Sequence, residues 1–128
     1  MEIQQDSIES LEPNETHVGK EGYLVKLSSG KAALHDSATA EAFGVITDGE
    51  ATDGRSSVAV LGGKVGAVRV KLTLSAVTKG QRGKQVSDGT VTLDNGSGAR
   101  VVVCKFAEDG AIGELVRAYL FTPIVYAS

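Results

Sequence analysis

The chain has 128 residues, a formal charge of −3 and a pI near 5.3, so it lacks the basic footprint expected of a nucleic-acid binder. Val, Ile, Leu and Phe occupy 34 positions, enough for a buried core and too many for a disordered chain. One cysteine, Cys104, excludes an internal disulfide and a Cys-rich zinc site, and no apolar run approaches the ~20 residues that span a bilayer.

The first 19 residues carry Glu2, Asp6, Glu9, Glu12 and Glu15 with no Lys or Arg, whereas residues 20–128 hold 13 bases and 11 acids. Ile3, Ile8 and Leu11 are the only sizeable apolar residues before Pro13, too sparse for a core strand. This segment reads as an acidic, flexible N-terminal arm (1–19) ahead of a single β-rich domain (20–128). No basic n-region or apolar h-region follows Met1, so the expectation is synthesis in a cytoplasm without an export signal.

From Gly22 the apolar pattern takes strand length and strand period. Tyr23, Val25 and Leu27 alternate and end at the turn Ser28-Ser29-Gly30. His35–Phe43 suggests a brief helix, with Asp36 or Ser37 as N-cap ahead of Ala38, Ala40 and Ala42, and Gly44 as a stop. Phe43–Ile46 and Val58–Leu61 are short buried runs closed by Asp48-Gly49 and Gly62-Gly63. Val68, Val70, Leu72 and Leu74 share one face, with Arg69, Lys71 and Thr73 on the other. Val91 and Leu93 precede Asp94-Asn95-Gly96, the strongest hairpin signal in the chain. Val101–Phe106 follows, and then Leu115–Phe121, where Val116, Ala118 and Leu120 alternate with Arg117 and Tyr119 and favour a strand over a helix. The sum is all-β: a small sandwich or partly closed barrel of about 7–10 short strands with Gly-rich turns and at most one short helix.

An internal echo accompanies this pattern. Gly22-x-x-Val25 matches Gly83-x-x-Val86. Val45 and Val58 enclose Asp53-Gly54 as Val103 and Val116 enclose Asp109-Gly110.

Several fragments imitate catalytic motifs, and each lacks a physical requirement. Ser28-Ser29-Gly30-Lys31 matches S-x-x-K, but that chemistry needs a helix, and a hairpin turn is expected here. Gly80–Gln85 resembles a phosphate loop, yet Thr78 and Gln85 stand where Gly and a hydroxyl are required, leaving an exposed basic turn. Asp48, Glu50 and Asp53 form an acidic turn without EF-hand spacing. His17 and His35 have no neighbouring Cys and read as surface residues, and Cys104 reads as a buried structural thiol. No catalytic, cofactor-binding or metal-ligating residue is assigned. The expectation is a protein that is not an enzyme and needs no cofactor.

The run Gly22–Leu27, then Ala42-Phe43-Gly44-Val45-Ile46, Ser57–Val60, Val77-Thr78-Lys79-Gly80, Val101–Phe106 and Ala107–Val116, resembles the capsid cement (head decoration) proteins of tailed bacteriophages. The likeness covers residues 20–121; the acidic arm is longer than the short leader of the simplest members, and Phe121–Ser128 extends past the expected last strand. It implies a structural virion protein on the outer surface of an icosahedral head, a homotrimer braced against genome pressure, with the major capsid protein as partner and neither nucleic acid nor membrane as ligand. The arm is then the expected capsid contact, with Ile3, Ile8, Leu11 and Pro13 as anchors and its acids meeting basic residues of the shell. The alternative is an all-β recognition module, a carbohydrate-binding or tail adaptor protein.

Overall fold

The computed structural model describes residues 8–15, 17–48, 55–63 and 66–127. They form ten strands: β1 (Ile8–Leu11), β2 (Leu24–Ser28), β3 (Lys31–Leu34), β4 (Gly44–Asp48), β5 (Ser56–Val60), β6 (Val68–Lys71), β7 (Arg82–Gln85), β8 (Val91–Leu93), β9 (Arg100–Phe106) and β10 (Leu115–Tyr126). Among the described residues there is no helix, and so none long and apolar enough to cross a membrane.

The strands make two five-stranded antiparallel sheets, ordered β1-β5-β4-β2-β3 and β6-β10-β9-β7-β8. Adding five to every strand number of the first sheet gives the second. Parallel bridges tie the margins of each sheet together, Pro13 to Ala32 in the first and Leu72 to Val91 in the second, 59 positions apart on both sides. The central ladders keep the same interval: Leu24 faces Val45, and Gly83 faces Cys104. Gly22 and Gly80 occupy matching turns at φ 90° and 93°, each donating its N–H to an inner strand, to the Ile46 carbonyl at 2.8 Å and the Phe106 carbonyl at 2.9 Å. The chain is thus an internal repeat. The equivalent of Gly22 is Gly80 rather than Gly83, although the echo of Val45 and Val58 does fall on matching strands.

Packing follows from the alternation. The main core joins Leu24, Val45 and Leu61 of the first half to Val70, Leu72, Val103, Phe106 and Val116 of the second. Val25, Ile46 and Val58 point the other way and build a smaller cluster with Leu11, Tyr23, Leu34 and Phe43. This explains why β2, β4 and β5 bury consecutive residues, whereas β6 and β10 bury alternate ones.

Four local expectations need correction. The 35–43 segment is a loop: Ser37 Oγ does accept the N–H groups of Thr39 and Ala40, as an N-cap would. However, the Gln85 side chain then takes the Ala42 N–H (2.9 Å) and the Ala40 carbonyl (2.7 Å), so those groups are not available to a helix. Asp94-Asn95-Gly96 does not close a hairpin; β8 pairs with β7 across the Val86–Thr90 turn, and the 94–99 loop carries the chain past β7 to β9. Gly80–Gln85 is not simply an exposed turn, because β7 lies inside the sheet with Gly83 and Gln85 buried. Leu74 leaves the face it shares in sequence with Val68, Val70 and Leu72: at φ 70° it is 70% exposed.

Candidate docking surfaces

The arm holds a defined place from Ile8 onward. β1 pairs with β5 (Ile8 with Ala59, Leu11 with Ser56), and the Asn14 N–H reaches the Ala32 carbonyl at 2.9 Å. Backbone pairing on a marginal strand does not require the apolar density of a core strand, which is why sparse Ile8 and Leu11 suffice. Of the four anchors, Ile3 lies outside the described residues. Leu11 packs on the chain's own smaller cluster and Pro13 bridges Ala32, so both serve the fold; only Ile8 is exposed. Asp48 ends β4, and Glu50 and Asp53 lie outside the described residues.

Both histidines are buried, which corrects their reading as surface groups. His17 Nδ1 lies 2.8 Å from Ser56 Oγ, while its Nε2 has no hydrogen-bond partner. Burial holds its pKa below the ordinary histidine value, partly offset by Glu15. Burial likewise pushes the Cys104 thiol up to about 12, far from a reactive thiolate. Ser28 and Lys31 close the β2–β3 hairpin across Ser29 (φ 52°) and Gly30 (φ 80°), positive angles that fit a two-residue turn. Among the described residues no group of three His, Cys, Asp or Glu side chains could hold a metal.

The second sheet presents a basic outer face. Arg69 stands directly opposite Arg117, Lys71 opposite Leu115, and Tyr119, Lys105 and Arg82 form one cross-strand row. Lys84 follows on β7. No carboxylate pairs with any of these six cations among the described residues. Lys71, Arg82 and Lys84 bond to the Gly113 carbonyl, the Tyr126 hydroxyl and the Asn95 side chain. Arg69, Lys105 and Arg117 have exposed side chains without such a bond, and Tyr119 among them is 54% exposed. Like charges directly opposite oppose folding, so this row is a surface feature that the fold tolerates rather than needs. Sequence periodicity places Arg69, Lys71, Arg117 and Tyr119 outward; their meeting depends on β6 lying beside β10, which periodicity does not give.

Where the two sheets meet, a shallow cleft of about 510 Å³ is lined by Glu21, Gly22, Ile46, Thr47, Val68, Arg69 and Leu115. Its charged groups are Glu21 and Arg69, and Ile46, Val68 and Leu115 are its apolar ones. The sequence matches no protein-family model and no curated protein.

Proposed function

We propose that this chain is a non-catalytic structural subunit that decorates the outer surface of a phage head, with the major capsid protein as partner and a homotrimer as the attached unit. The observation that carries this reading is the make-up of the chain: two sheets with their margins tied, one outer face whose cations have no carboxylate partner among the described residues, and an exposed Ile8 where the acidic N-terminal segment joins the domain. Sheets closed in this way resist adding foreign strands edge to edge, so attachment falls to side chains and to the start of the chain. Ile3 and Ile8, with Glu2 and Asp6 between and before them, are the shell-facing residues in this reading. One subunit of this size offers a footprint of roughly 800 Å² at most, and joining three raises the effective concentration of each contact. Binding the expanded shell and not its separated subunits then stabilises the shell by mass action.

The test is co-sedimentation of the purified chain with expanded, undecorated heads of the phage that encodes it. The expected result is saturable binding in multiples of three, weakened at least tenfold by deleting residues 1–7. Absence of binding to such heads overturns the proposal. Exposed Tyr119 beside Lys105 supports the recognition-module reading instead, and saccharide binding lost in Tyr119→Ala would favour it.

A further inference from the structure

The charge of this chain is divided between its two repeats. Residues 1–61 contain eleven acids and four bases, a formal −7, and residues 62–128 contain nine bases and five acids, a formal +4. The positive excess is displayed on one face: Arg69 opposite Arg117, with Lys105 and Arg82 in the next row, none of them paired with a carboxylate among the described residues. The negative excess of the first half includes Glu12 and Glu15, exposed on the continuation of β1 beside β3, and Glu9, half-buried on the Leu11 face of β1. Of these, Glu12 pairs with Lys31 at 3.7 Å with both side chains largely exposed, a weak pair, and the Arg55 guanidinium lies on Ser10 between Glu9 and Glu12.

We infer that the basic face of the second repeat docks on the acidic first repeat of another copy of the same chain. The contact is head to tail. One copy offers Arg69, Arg117 and Lys105; the next offers the exposed Glu12 and Glu15. Tyr119 and Leu115, both exposed on the same face, supply apolar area on either side of the Arg69–Arg117 pair. A polyanion such as nucleic acid fits the basic face less well, because the same molecule carries a −7 half that repels it. A heterologous contact of this kind leaves one free basic face and one free acidic strip on every open assembly, and it closes only in a ring. The inference does not depend on phage heads: it concerns the free protein and is measured without them.

The experiment is sedimentation velocity of the full chain over a concentration series at 50 mM and 500 mM NaCl. Self-association is expected at the lower salt and at least tenfold weaker at the higher, since a Debye length of about 4 Å at that ionic strength screens exposed charge. Arg69→Glu/Arg117→Glu is expected to stay monomeric at 50 mM NaCl, and so is Glu12→Lys/Glu15→Lys. An equimolar mixture of the two variants is expected to associate, because the reversed basic face of the first now meets the reversed strip of the second. Circular dichroism of each variant checks the fold, and Arg69→Gln/Arg117→Gln serves if the reversed pair unfolds, with at least tenfold weaker association expected. A wild-type chain that is monomeric at both salts overturns the inference, as does association that ignores salt and variants. A mixture that fails to associate while both variants are folded, or a wild-type monomer that binds a DNA oligonucleotide through the same arginines, also overturns it.

Discussion

The two repeats share strand order, bridge spacing and turn geometry, yet matching positions do different work. In the first, Ser10 faces Ser57 across β1 and β5, and Arg55 folds over the pair, bonding to Ser10 Oγ at 3.0 Å and to the Ser10 carbonyl at 2.9 Å. In the second, Arg69 faces Arg117 across β6 and β10, and neither guanidinium bonds to a described residue, although the Glu108 carboxylate accepts the Arg117 N–H at 3.0 Å. The ladder therefore fixes where a side chain stands without fixing its chemistry. Backbone pairing and inward volume are held in common, and the outer faces are free to differ.

The largest expected difference lies in the matching turns. Gly22 and Gly80 both need a positive φ, but a Cβ on Gly22 would sit 2.5 Å from Leu115 Cδ2 and 2.9 Å from the Lys71 nitrogen, whereas one on Gly80 meets nothing within 4 Å. Gly22 is where the first repeat presses on the second, since its carbonyl also accepts the Lys71 N–H at 2.9 Å. Gly80→Ala is expected to cost about 1–3 kcal/mol, the strain of the backbone alone. Gly22→Ala adds overpacking and is expected to cost about 2–6 kcal/mol. Urea unfolding of both variants decides this, and equal losses would show that the two turns are equivalent in packing as well as in geometry.

A second contrast is between ion pairs. Arg100 Nε donates to Asp94 Oδ1 at 2.6 Å with both side chains about nine-tenths buried, and the guanidinium lies 4.0 Å from the centre of the Tyr126 ring. In the first repeat, Lys26 and Asp36 pair at 3.1 Å on the surface. Asp94→Ala leaves Arg100 buried without its carboxylate and is expected to cost about 3–5 kcal/mol. Asp36→Ala is expected to leave the denaturation midpoint where it was.

These cases show what could be read before the structure. Period two in Val68–Val70 and Val116–Ala118 gave the inner faces directly, because burial on one side of a sheet is a local signal. Two failures share one cause. Ser37 carries the cap of a helix that Gln85 prevents, from 48 positions away, and β7 is an inner strand although Gly83 has no side chain. Gly83 is needed there because a Cβ would meet Cys104 Sγ at 2.7 Å and Phe106 Cζ at 2.9 Å. Its signal is the size of neighbours on another strand, which no window of sequence contains. The basic face was half legible for the same reason: its outward residues follow from alternation, and their adjacency follows only from strand order.

The repeats should also differ in their response to acid, since His17 belongs to the first. His17 is buried as the neutral imidazole, with its pKa lowered by desolvation. Protons then bind the unfolded chain more readily than the folded one below pH ~6.5, so stability is retained above that value and declines as pH falls through it toward the lowered folded pKa. Melting temperature is expected to fall as pH is lowered from 7.5 to 5. His17→Gln should flatten that slope while lowering stability at pH 7.5, because the Ser56 contact changes. An unaltered slope would move the acid-sensitive site elsewhere.

The smallest expected effect concerns the ladder position shared by Val45 and Cys104. Both side chains are buried in the main core, and both stand opposite matching residues, Leu24 and Gly83. If the position asks only for a small apolar body, Cys104→Val should cost less than about 1.5 kcal/mol, the usual limit for a swap of similar volume. The thiol, with its pKa raised to about 12, should also resist a disulfide reagent at pH 8 until the chain unfolds. A larger loss would place the difference between the repeats in the core as well as on the surface. Gly83 leaves its volume to Cys104 and Phe106, and a branched side chain at 104 tests how closely that volume is filled.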